Sequence, residues 1–144
     1  MGYLIAALSG ILMSLQGILN TEVTKQTSVW VSAAWVQATA LAVSVIAWRI
    51  TEGSSFLAIK DVTPRYMLFG GVIGAFITIT VIMSMGSVGP AQATMFIVVA
   101  QVIFSWLVEL AGLFGVEKTS FSWSKAVGMI LAIAGMLIFK WERS

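Results

Sequence analysis

The stretch from Gly2 to Asn20 (GYLIAALSGILMSLQGILN) holds no charged side chain, and four further stretches read nearly the same way: Trp30 to Ile50, Tyr66 to Gly86, Ala91 to Gly115 and Ser124 to Trp141. A helix needs roughly 20 mostly apolar residues to cross about 30 Å of hydrocarbon. The pattern therefore predicts an all-α integral membrane protein with about five transmembrane helices, near 2–20, 30–50, 66–86, 91–115 and 124–141, forming a single transmembrane domain. An odd number of spans places the two ends of the chain on opposite membrane faces. That geometry suits one half of a ten-helix inverted-repeat transporter, completed by an antiparallel dimer.

Polar punctuation separates the spans. Asn20 closes the first, Trp30 opens the second at headgroup depth, and Trp48 with Arg49 closes it. The longest polar connection, Thr51 to Arg65 (TEGSSFLAIKDVTPR), includes an apolar patch from Phe56 to Ile59 that suits the membrane interface. Ser87-Val88-Gly89-Pro90 joins the third and fourth spans as a short hairpin, with Pro90 fitted to the first helical turn, where its missing N–H has no intrahelical partner to lose. Lys125 and Lys140 bracket the last span, long enough to snorkel outward. The first span lacks a basic leader and a small-x-small cleavage site, so it is expected to stay as a helix rather than be removed as a signal peptide.

Composition narrows the chemistry. Of 144 residues, 59% are hydrophobic and 10% charged, too few polar residues to clothe a soluble core. There is no Cys and no His, which removes thiolate nucleophiles, Cys- or His-ligated zinc and Ser-His-Asp catalysis. No enzyme activity and no cofactor or metal is expected. The eight basic residues are scattered over loops and helix ends, so the pI of about 9.2 does not mark a nucleic-acid surface. They divide five (Arg49, Lys60, Arg65, Lys118, Lys125) against three (Lys25, Lys140, Arg143) across the membrane, a small bias toward a cytoplasmic N-terminus that also permits insertion in both orientations.

Polar side chains inside hydrocarbon need an internal partner or a wet cavity. In the first helix Ser9, Gln16 and Asn20 share a face, and Gly10, Ser14 and Gly17 form a neighbouring small-residue face. In the fourth, Thr94, Val98, Gln101, Ser105 and Glu109 form a stripe, and Gln37 with Ser44 repeats the spacing in the second. Gln16, Asn20, Gln37, Gln101 and Ser105 are therefore candidate substrate-pathway residues; the alternative is that they bond helices together. Trp106 falls off the stripe and is expected in packing or lipid contact. Glu109 is the one acid well inside a span and the candidate for proton or ion coupling. Hydrocarbon favours its neutral form, whereas a cation such as Lys118 or Arg65 beside it would make it a structural anchor instead. Gly70 with Gly74, and Gly128 with Gly135, add small-residue faces to the third and fifth helices, so Gly10, Gly17, Gly70, Gly74, Gly128 and Gly135 are the expected helix-packing positions.

Four segments carry a family resemblance: GILMSLQGILN (Gly10 to Asn20), FGGVIGAF (Phe69 to Phe76), SVGPAQATMFIVVAQVIFSWLVELAGLFG (Ser87 to Gly115) and SKAVGMILAIAG (Ser124 to Gly135). Together they resemble the short inner-membrane proteins of the YdcZ type in the drug/metabolite transporter superfamily. The resemblance implies a five-helix half-transporter that works as an antiparallel homodimer or as paired, oppositely inserted chains in the bacterial inner membrane. It implies roles for Gln16, Asn20, Gln101 and Glu109, the last standing where many relatives carry Asp. The four-helix small multidrug resistance proteins are less similar, since their essential Glu lies in helix one, where this chain offers Gln16.

The expected function is secondary transport of a small organic solute by an antiparallel homodimer in the lipid bilayer. Amide and hydroxyl linings suit a neutral or singly charged amphipathic solute. A small dual-topology ion channel and an accessory membrane subunit are the alternatives.

Overall fold

The computed structural model describes residues 1–141, so Arg143 of the charge tally lies outside the described residues. Among the described residues there is no strand. The helices are α1 (Gly2–Gln26), α2 (Val29–Thr51), α3 (Gly70–Val88), α4 (Pro90–Ala111) and α5 (Trp123–Trp141), with short 3-10 turns at Phe56–Asp61 and Arg65–Phe69. All five are long and apolar enough to cross a membrane, the third counted together with its preceding 3-10 turn. Large apolar side chains face outward along all of them, from Leu4 and Ile46 to Phe76, Phe104 and Ile138. In water this surface would be untenable; in a bilayer the acyl chains cover it.

Three boundaries differ most from the sequence expectation: α3 begins at Gly70 rather than near Tyr66, after the 3-10 turn at Arg65–Phe69, and the ends of α1 and α4 shift as follows. α1 continues past Asn20 to Gln26 because the polar residues there serve the helix: Thr21, Thr24 and Thr27 hydroxyls donate to the carbonyls of Gly17, Asn20 and Val23, and Lys25 pairs with Glu22 at 2.6 Å. α4 stops at Ala111 rather than Gly115. Gly112 takes a left-handed conformation (φ 65°, ψ 38°) and its N–H, with that of Leu113, closes on the Val108 carbonyl, the usual way a glycine ends a helix. Pro90 occupies the first turn of α4, as expected.

Two compact units divide the chain after Ser87. In the first, Thr27 and Ser28 join α1 to α2, and Ser28 caps α2 by accepting from the Val31 N–H at 3.2 Å. Ser32, fully buried, donates to the Asn20 carbonyl at 2.9 Å and ties the two helices together. α3 meets α1 at Gly17, where an added Cβ would lie 2.6 Å from Met85 Cε and 3.1 Å from Val81 Cγ1. It meets α2 where Gln37 Nε2 donates to Thr78 Oγ1 at 3.3 Å. The missing side chain of Gly17 leaves room for those of Met85 and Val81 against α1. At Gly10, Gly70, Gly74, Gly128 and Gly135, no described atom beyond the chain neighbours and the local helix backbone lies within 4 Å of an added Cβ.

The second unit is the α4–α5 hairpin. Its connector folds back onto α4: the Thr119 N–H donates to the Glu109 carbonyl at 2.9 Å, and Lys118 packs over Gly112, whose missing Cβ leaves it room. Trp106, Phe121 and Trp123 form a ring ladder with centroids 5.4 and 5.2 Å apart, which anchors the connector to both helices.

Candidate functional site

Along α4, Gln101, Ser105 and Glu109 recur every four residues and so climb one face of the helix. The start of α5 presents Lys125, Gly128 and Ala132 on one of its faces, at the matching i, i+3, i+7 spacing. These two faces enclose a cleft of about 480 Å³, completed by Val102, Trp106 and Met129. Its walls are largely apolar, and its polar groups lie in a line from Gln101 to the ion pair at one end. Lys125 Nζ lies 3.0 Å from Glu109 Oε2, with the side chains 51% and 39% exposed. Eight residues of helix separate Gln101 from Glu109, a rise of about 12 Å.

The cation beside Glu109 is therefore Lys125, not Lys118 or Arg65. Lys118 lies over Gly112 instead. The pairing spans 16 residues and depends on the connector turning α5 back along α4, information that spacing within one helix does not contain. Trp106 packs against Phe121, as expected of a packing residue, and has a second placement besides. It lines the cleft beside Ser105 and Glu109, because a helix face that meets a neighbour is wider than one four-residue stripe and takes in positions 102 and 106. The Trp106 Nε1–H and the Thr119 hydroxyl are buried without a hydrogen-bond partner among the described residues, both at the Glu109 end of the hairpin.

The remaining candidates fall into separate environments. The Gln37 amide is spent on Thr78, whose hydroxyl in turn donates to the Gly74 carbonyl at 3.0 Å. Asn20 joins α1 to α2 through its backbone carbonyl, which accepts from both Ser32 and Thr24, while its side chain is part-exposed. Gln16 is exposed on α1. The Gln101 amide and Ser105 hydroxyl face the cleft and make no hydrogen bond among the described residues. No cluster of three or more acidic side chains able to hold a metal ion occurs among the described residues.

Five helices long and apolar enough to cross a membrane, two of them enclosing a cleft edged by one amide, one hydroxyl and one ion pair, define a multi-pass membrane protein. Over residues 1–138 the chain matches the family model described as "Putative inner membrane exporter, YdcZ". The chain belongs to that family, one of exporters rather than enzymes, and is a multi-pass protein of the inner membrane. Comparison with curated proteins and with solved structures returned no match.

Proposed function

We propose that the chain exports a small amphipathic organic solute as one half of a secondary transporter, completed by a second, oppositely inserted copy. The observation that carries this reading is the contrast between two glutamines. Gln37 spends its amide on a neighbouring helix, whereas the Gln101 amide and the Ser105 hydroxyl face the cleft. A polar group placed in hydrocarbon without a protein partner is costly unless water or solute reaches it. The family's description as exporters supports the outward direction, and the mostly apolar walls support an amphipathic cargo. Two five-helix chains in opposite orientations supply the inverted repeat that alternating access uses.

Glu109 is the acid lining this cleft and the proposed coupling residue, with Lys125 as the partner it releases and regains. The test is flux from proteoliposomes holding a solute library under an imposed pH gradient. Saturable solute movement driven by the gradient is expected, with Glu109→Gln losing uphill transport while keeping solute exchange at a raised half-saturating concentration. Unitary currents in planar bilayers without saturable flux would make the protein a channel.

A further inference from the structure

The Glu109–Lys125 pair is only half used. Lys125 Nζ engages Oε2 alone, which leaves Oε1 as a free acceptor and two ammonium N–H groups as free donors. Both side chains are substantially exposed, at the end of the cleft. The cleft therefore closes on a pair of opposite charges with no net charge. An organic cation seated there gains Glu109 and meets repulsion from Lys125; an anion meets the reverse. A neutral amide finds only charge–dipole contacts. A molecule bearing an amine and an acid group close together places each charge against its opposite and brings no net charge to a cleft whose walls are largely apolar.

The rest of the cleft sets the ligand's body. Val102, Met129 and Ala132 give apolar walls, and the absent side chain of Gly128 leaves space between them. We propose that the α4–α5 cleft binds a zwitterionic amphiphile, its amine on Glu109, its acid group on Lys125 and its apolar body between Val102 and Met129. This rests on the transport reading above and names the class of cargo. The same chemistry is carried by a free apolar amino acid and by the headgroup of an amine-bearing phospholipid.

Thermal unfolding of the purified full chain in detergent tests it with four probes that share one ring and differ in headgroup: phenylalanine, phenethylamine, 3-phenylpropionate and 3-phenylpropionamide. Phenylalanine is expected to raise the midpoint at concentrations about tenfold or more below the other three, since it alone makes both charge-assisted contacts. Glu109→Gln and Lys125→Gln each erase that preference, and the double exchange Glu109→Lys with Lys125→Glu restores it by keeping the pair reversed. Because the exchange preserves the pair, it tests the idea even if both single variants unfold. Stabilisation by dihexanoyl phosphatidylethanolamine without phenylalanine assigns the same chemistry to a lipid. Equal or tighter response to the amine, acid or amide, or no response to any probe, overturns the proposal. Saturable flux of another solute with no zwitterion preference would leave transport standing and remove only this inference. Zwitterion binding with no flux of any solute would do the opposite.

Discussion

Gln37 and Gln101 are the same side chain on helices of the same kind, and sequence spacing alone assigns both to a pathway. Position in three dimensions separates them. Gln37→Leu is expected to cost about 0.6 kcal/mol, the mean for a hydrogen bond between membrane helices, because Thr78 keeps its own bond to the Gly74 carbonyl. Gln101→Leu is expected to leave stability unchanged and abolish flux; unfolding midpoints measured beside proteoliposome transport check both. The glycines separate in the same way. Gly10 and Gly17 share one small-residue face of α1, but only Gly17 has Met85 and Val81 against it. Gly17→Leu should destabilise by about 1–3 kcal/mol through overpacking, whereas Gly10→Leu should leave the midpoint where it was. Equal effects at the two positions would contradict this packing. The sequence marks which residues are small enough to pack; which of them meets another helix depends on the arrangement of α1 and α3.

At the scale of elements, all five helices are legible from apolar length, and the errors sit at their ends. The polar run Thr21 to Gln26 reads as loop by hydropathy, yet its threonines return their hydroxyls to the helix and Glu22 pairs with Lys25. The run Gly112 to Gly115 reads as membrane by hydropathy, yet Gly112 turns left-handed and ends α4. Hydropathy measures what lipid tolerates, and the helix obeys capping and backbone sterics as well. That early stop gives the hairpin the connector that brings Lys125 beside Glu109, so the candidate site depends on it. Gly112→Ala should cost about 1–3 kcal/mol, from the left-handed backbone of a non-glycine residue. Crowding by Lys118, whose Cβ lies 3.0 Å from the added atom, works in the same direction. Gly112→Asn should cost less, since Asn accepts that conformation more readily. Denaturant midpoints of the two variants, in that order, test whether backbone conformation or simple loss of space sets the penalty.

At the scale of the whole molecule, one chain supplies five spans, and the expected five-to-three division of basic residues makes insertion in both orientations the proposal to test against a single orientation with a cytoplasmic N-terminus. Pairing Lys25 with Glu22 and Lys125 with Glu109 changes this little, because acidic residues carry little weight in the orientation rule. Reporters fused after Ser144 should therefore be active on both sides of the membrane, and signal confined to one side would defeat dual insertion. Two Lys added beside Thr27, in the two-residue α1–α2 turn, should draw that turn to the cytoplasmic face and collapse the mixture to one orientation. The collapse carries the test of assembly. If the working unit is an antiparallel pair, a population locked in either orientation should insert and fold yet transport nothing, and co-expressing chains locked in opposite orientations should restore flux. A locked population that transports alone would show that a single orientation suffices. The faces at Gly70 and Gly74 offer a second handle: beyond the local helix backbone, a Cβ added at Gly74 meets no described atom, so Gly74→Ala that loses cross-linked dimer with an unchanged unfolding midpoint would place that face at the seam between copies. Small faces with no described atom against an added Cβ beyond the local helix backbone suit the proposed half-transporter, and the locked-orientation pair decides whether its second half is this same chain turned over.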